Sequence, residues 1–294
     1  MNTINYSGRT RTESDLIGSK EIPVEALYGV QSLRGFENFK ISGKLMCDYP
    51  CFIKGMAITK KGAAIANHKQ GKLTDEQFKA ICQACDELLE GKHHEFFLSD
   101  MIQGGAGTTV NMNANEVIAN RALEIMGHKY GEYQFCSPND HINASQSTND
   151  AYPTAFHFGL YLKTPALIKA MELFVESLEK KAAEFKNVVK MGRTQLQDGV
   201  PMTLGQTFQA FANGMKQQIA ALKAASEELL CINMGATAIG TGICSEPGYS
   251  ALCVQALRDI TGWNITLADD LIEVTSATDV LVQYSSCLKR IALK

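Results

Sequence analysis

Three polar loops carry residue types suited to holding a small anion. "SQSTND", residues 145–150, sets six hydrogen-bonding side chains in a row with one charge, Asp150. "QGGAGTTVNMN", residues 103–113, offers Thr108 and Thr109 ahead of a helical pattern. "GRTQLQDGVP", residues 192–201, adds Arg193, Thr194, Gln195, Gln197 and Asp198. Free N–H groups at a helix N-terminus favour anions. Ser145, Ser147, Thr148 and Asn149 would add neutral donors around them, so a carboxylate could be bound without a fixed cation. None of the loops holds an activated nucleophile or a carboxylate pair, and His141 is the nearest conventional base.

Plainer readings compete at each point. Ser, Thr, Asn and Asp gather at helix starts as caps, and glycines gather in tight turns. "GRTQLQDGVP" reads equally as a solvated turn, and His141 as a structural or ligand-orienting residue. "QGGAGTTVNMN" lacks the G-K-[ST] ending of a P-loop, and "GATAIGTG", residues 235–242, lacks the strand-turn-helix setting of a dinucleotide fingerprint. Cys82 and Cys85 form a lone C-x-x-C on the apolar stripe of a helix, without further ligands for zinc. His93 and His94 read as surface residues at a helix end.

The elements around the loops are helical. "TDEQFKAICQACDELLEG", residues 74–91, opens with the Thr-x-x-Gln form of a capping box and closes at glycine. A second helix is predicted over residues 113–127. From Thr164, with Pro165 suiting a first turn, Ile168, Met171, Val175, Leu178, Ala182 and Phe185 follow at helical spacing. Leu204 to Leu230 carries a similar seam through Phe208, Phe211, Met215, Ile219, Leu222 and Leu229. At 1.5 Å per residue these last two are roughly 30 to 40 Å long. Such narrow seams suit a mainly α protein whose long helices form a bundle with other subunits. The change in helix length suggests an N-terminal domain over 1–150 and a long-helix domain over 151–294.

The totals fit a folded chain. It has 294 residues, 45% of them hydrophobic, and 28 Lys and Arg against 31 Asp and Glu. That balance, without a basic stripe, argues against nucleic acid. No signal-like or membrane-spanning run occurs, so a cytoplasmic protein is expected, with nine reduced cysteines.

Taken together, "DLIGSKEIPVEALYGVQSLRGFENFKISG", "QGGAGTTVNMNANEVIANRALE", "SPNDHINASQSTNDAYPTAFH", "KMGRTQLQDGVPMTLGQTFQAF" and "GATAIGTG" resemble the aspartase/fumarase superfamily over essentially the whole chain. The resemblance implies a mainly α fold with long central helices from four subunits in one bundle, hence a homotetramer, and a cofactor-independent mechanism without metal. It implies that Thr108, Ser147, Thr148 and Asn149 bind the side-chain carboxylate and amino group of the substrate, and that Thr194 meets the other carboxylate. Loops from different subunits would complete each site. Gln195, where fumarases show His, and Thr148, where they favour Ser, resemble aspartases. The implied reaction is reversible elimination of ammonia from L-aspartate to give fumarate. A fumarase or another fumarate-producing lyase is the rival within the class; a catalytically silent helical oligomer is the rival outside it.

Two residues depart from the pattern, Cys244 where Asn is expected and Gly199 where Ala is more usual. The superfamily's signature loop, G-S-S-x-M-P-x-K-x-N-P, does not occur, and "YSSCLKR" does not replace it. The resemblance therefore implies the N-terminal part of a longer enzyme, with the catalytic base serine outside this chain and the activity of the chain alone in doubt.

Overall fold

A computed structural model describes Ile4, residues 6–105 and residues 107–294. The alanine inside the Gly-rich loop and most of the first five residues, part of the stretch read for a leader, lie outside the described residues. The chain divides into two compact units, 1–162 with 230–277 and 163–229 with 278–294.

The first unit opens with an antiparallel hairpin, β1 (Thr10–Asp15) and β2 (Gly18–Pro23), followed by helices α1 (Val30–Asn38), α2 (Pro50–Lys69), α3 (Asp75–Leu89) and α4 (Thr108–Ile125). Helix α3 begins where its sequence predicts. Thr74 accepts the Gln77 backbone N–H, while the Gln77 side chain accepts that of Thr74. Ile81, Cys85 and Leu88 on its inner face are buried with Ile53, Met56, Val117 and Ile118 of α2 and α4, the largest apolar cluster of the unit.

Helix α4 starts five residues earlier than Asn113, the expected start, and most of its circumference is buried. Its polar residues consequently face inward. Asn113 donates to Phe96 O, Asn120 to Leu27 O, and the Glu116 carboxylate accepts the backbone N–H groups of Gly29, Gln31 and Ser32 at the start of α1. Burial pushes Glu116 up to about 7 while the Ser32 donors pull the other way.

Helix α5 (Thr148–Glu184) runs without a break through Pro153 and Pro165. Thr164 does not cap a new helix; it is buried, its hydroxyl 2.7 Å from that of Tyr284. A proline inside a helix costs about 3 kcal/mol, which packing along so long an element can offset. Ala151, Ala155 and Phe158 on the early turns of α5 belong to the apolar clusters of the first unit. Their burial ties these first turns of α5 to the first unit.

The same unit regains the chain at β5 (Cys231–Ile232). After the loop that contains "GATAIGTG" come α7 (Tyr249–Thr261), β6 (Thr266–Leu267) and α8 (Leu271–Ser276). Tyr249, Cys253 and Leu257 of α7 pack with Ile58, Ala63 and Ala66 of α2.

In the second unit, Met171, Val175, Leu178 and Ala182 form the buried seam of α5. Hairpin β3 (Val189–Thr194) and β4 (Gln197–Thr203) leads into α6 (Leu204–Glu228), capped by Thr203 with Gln206, and α9 (Asp279–Ala292) packs on α6. Lys216 pairs with Glu179 and Lys223 with Glu172 across α5 and α6. The sequence shows neither hairpin clearly. Gln195 and Leu196, both at positive φ, occupy turn positions that usually signal themselves with Asn-Gly.

Candidate active site

The N-terminal turns of α4 and α5 lie side by side in the first unit. Gly107, at φ 92°, precedes α4, and a Cβ there would come within 2.2 Å of the Tyr152 ring on α5. Absence of a side chain therefore permits the contact. Gly104 is likewise packed against Phe39. Both glycines therefore serve close packing of the loop against aromatic rings. Gln103 steadies the loop, accepting the Val110 N–H and donating to Asp100 O.

Thr108, the first residue of α4, is exposed, beside a cavity of about 1040 Å³ lined by Arg34, Phe39, Thr109, Met112, Tyr133 and Asn139. Ser147, Thr148 and Asn149 are half-buried at the start of α5. The cap reading holds for part of this stretch. Ser147 Oγ accepts the Asn149 N–H at 3.1 Å, and Asp150 Oδ1 accepts the Ser147 N–H at 2.9 Å, a reciprocal arrangement that satisfies two orphan donors. Since Ser147 Oγ accepts internally, its own proton is left for another partner.

Thr148 is in the same position. Asn111 Nδ2, one turn into α4, donates to Thr148 Oγ1 at 3.2 Å. Asn149 donates to Ala238 O at 2.8 Å, and Asn233 Nδ2 donates to Asn149 O. Ser145 turns inward instead, at φ 59° and buried, donating to Asn67 Oδ1 and accepting from Lys72.

Two buried charges lie beneath. Asp150 is fully buried, and its Oδ2 accepts the backbone N–H groups of Gly235 and Thr237 at 3.1 and 3.0 Å. It thereby ties the loop that includes "GATAIGTG" to the start of α5. Burial pushes its carboxyl up to about 6, against those donors and the attraction of Lys60. Lys60, on α2, is 1% exposed and donates to Asn143 Oδ1 and Gln146 Oε1 at 3.0 and 2.9 Å. Burial lowers it to about 7 while Asp150 draws it upward.

The first unit thus brings Thr108, Ser147, Thr148 and Asn149 onto two neighbouring helix starts. Thr194 belongs to the second unit, exposed where β3 ends. Nδ1 of His141, half-buried, accepts the Ser137 N–H at 2.7 Å, which gives that nitrogen an orienting role. Burial lowers its pKa. His93 and His94 are half-buried rather than on the surface, facing Glu87 and Leu88 O. Lys60, Asn111 and Asn143 were not found among the candidate residues. Their signals are faint: a lysine within the apolar run "GMAITKKGAA", and Asn111 and Asn115 one helical turn apart.

The sequence profile described as lyase matches residues 18–294. The chain belongs to that family. The lyase-family chain is 52% identical to an aspartate ammonia-lyase of Pseudomonas fluorescens, over 100% of this chain and 62% of that protein. A solved structure described as fumarate lyase:delta crystallin from Brucella melitensis superposes with a TM-score of 0.95 at 43% identity, over 97% of this chain and 62% of that one. A class II fumarase from Schistosoma mansoni gives 0.89 at 29% identity, over 97% and 63%. The chain spans about 60% of the length of the curated relatives it matches. The mainly helical fold is that of these lyases. Among the described residues, no helix is long and apolar enough to cross a membrane.

Proposed function

We propose that the protein acts as an aspartate ammonia-lyase, eliminating ammonia reversibly from L-aspartate to give fumarate. The observation that carries this reading is the pairing of two helix N-termini, one bearing Thr108 and the other Ser147 and Thr148, whose hydroxyls accept internal hydrogen bonds and keep their protons for a ligand. Similarity to named aspartate ammonia-lyases supports it.

In this reading a base removes the proton from the carbon next to the side-chain carboxylate, which becomes an enediolate. Ser147 and Thr148 donate to the oxygens on which charge accumulates, with Thr108 completing the group. Donors fixed in advance bind that charge more strongly as it grows, and so lower the barrier rather than merely tightening substrate binding. Asn149 accepts from the substrate ammonium through its side-chain oxygen, its amide nitrogen being engaged by Ala238. Thr194 of a neighbouring subunit meets the second carboxylate.

The base is the signature-loop serine, which none of the 294 residues supplies. The reaction needs no cofactor or metal in this scheme. Exposed Leu173, Phe174 and Phe211, on helices of the second unit, support assembly into a homotetramer. A cytoplasmic setting fits these substrates.

The deciding assay follows fumarate by ultraviolet absorbance with L-aspartate, L-malate and argininosuccinate offered separately to the full-length protein that carries this chain. Release from aspartate alone is expected. Turnover of malate with none of aspartate would replace this reading by the hydratase one. An oligomer with no turnover on any substrate would favour the silent scaffold.

A further inference from the structure

We infer that Asn111 is a positioning residue that fixes the hydrogen-bond polarity of the Thr148 hydroxyl, so that its proton faces the substrate carboxylate. The inference rests on the function proposed above and goes beyond it in naming what prepares the donor.

Lys60 donates to Asn143 Oδ1 from 3.0 Å, which fixes the orientation of the Asn143 amide with its oxygen towards the lysine. That same oxygen lies 3.1 Å from Asn111 Nδ2, so Asn111 must also present its nitrogen there. Its second amide proton then falls on Thr148 Oγ1 at 3.2 Å. Both protons of Asn111 are thereby used, and Thr148 must accept. A hydroxyl that accepts from inside the protein has its one proton left to donate outward.

Lys60 and Asn111 are both 1% exposed, so bulk water does not randomise the chain of bonds. The price of the arrangement is visible in Asn111 Oδ1, a buried oxygen without a described partner. Asn115 Nδ2, at 3.1 Å, is a further donor to Asn143 Oδ1 and reinforces its orientation.

The inference is tested by a double-mutant cycle in the full-length protein that carries this chain. Asn111→Asp keeps the shape but replaces the donor by an acceptor, so the Thr148 proton is drawn inward. Its kcat for aspartate is expected to fall roughly 10 to 1,000-fold, the scale for loss of one transition-state donor, with KM changed much less. Thr148→Val should give a similar loss, and the double variant should be no more than about threefold worse than either single variant, because both remove the same donated proton. Asn111→Ser, uncharged and smaller, is put through the same cycle in case Asn111→Asp does not fold.

Losses that multiply in the double variant, or a wild-type rate in a folded Asn111 variant, would overturn the inference while leaving the lyase reading intact. A wild-type protein that releases no fumarate from aspartate would overturn both.

Discussion

Gly107→Ala tests whether the two helix starts depend on the contact that positions them. The added methyl meets two separate obstacles. An alanine at φ 92° occupies left-handed backbone, at a cost of about 1–2 kcal/mol. Its Cβ would also lie 2.2 Å from one carbon of the Tyr152 ring and 2.4 Å from two others, so ring or loop must move by more than about 1 Å to restore ordinary contact. The ring cannot yield freely, because Phe52 packs edge-on against it at 5.4 Å and Phe156 stacks at 6.4 Å. Overpacking of this kind costs about 1–3 kcal/mol.

The sum, about 2–5 kcal/mol, corresponds to a fall in melting temperature on the order of 5–15 °C for a unit of this size. Urea denaturation measures it directly. Repeating the substitution in a Tyr152→Ala background separates the causes, since only the backbone cost of about 1–2 kcal/mol should remain. The same displacement lengthens the Asn111 to Thr148 bond, so turnover should fall in the single variant. A Gly107→Ala cost below about 1 kcal/mol, or one equal in the two backgrounds, would refute the packing argument.

Other outcomes follow from the structure. Thr148→Val strands one amide proton of buried Asn111 and should cost about 1–3 kcal/mol by urea denaturation while leaving the protein folded, and it should reduce aspartate turnover by roughly 10 to 1,000-fold; an unchanged rate removes Thr148 from the site. Leu196→Gly, at a turn position with φ 67°, should stabilise the hairpin of the second unit by up to about 1 kcal/mol, read by urea denaturation. For Glu87, the Arg121 guanidinium first, with His93 and Gln83, holds the carboxyl at about 2 against an ordinary 4.5, with burial opposing. A depressed carboxyl stabilises the fold above 4.5 and loses that contribution as pH falls towards 2. The stability difference between wild type and Glu87→Gln should therefore shrink across that window, and a difference independent of pH would show the pair to be inert.

Capping spacing made the start of α3 legible in the sequence, and the apolar seams made the inner faces of α5 and α6 legible apart from Phe211, which is exposed, because both signals are local. The start of α5 was harder. Thr164 and Pro165 look like a helix start, whereas the burial that carries the helix past them depends on residues far along the chain. The same limit applies to the site. Thr108 and the Ser147 to Asn149 stretch stand out because hydroxyls cluster on polar loops. Lys60 and Asn143 do not, since their meaning lies in one contact between residues 83 positions apart. Asp150 could be read as a cap, and is one, but its hold on Gly235 and Thr237 required the fold.

Helix α4 gives these contacts a further consequence. A helix buried by hydrocarbon alone can rotate or slide a little with modest loss, because one greasy surface resembles the next. Asn111, Asn113, Glu116 and Asn120 each need particular partners. A slip of one residue would strand all four in the interior, at about 1–3 kcal/mol apiece. The helix is keyed like a shaft in a slotted bore, and the angular setting of its first turn is inherited from locks several turns away.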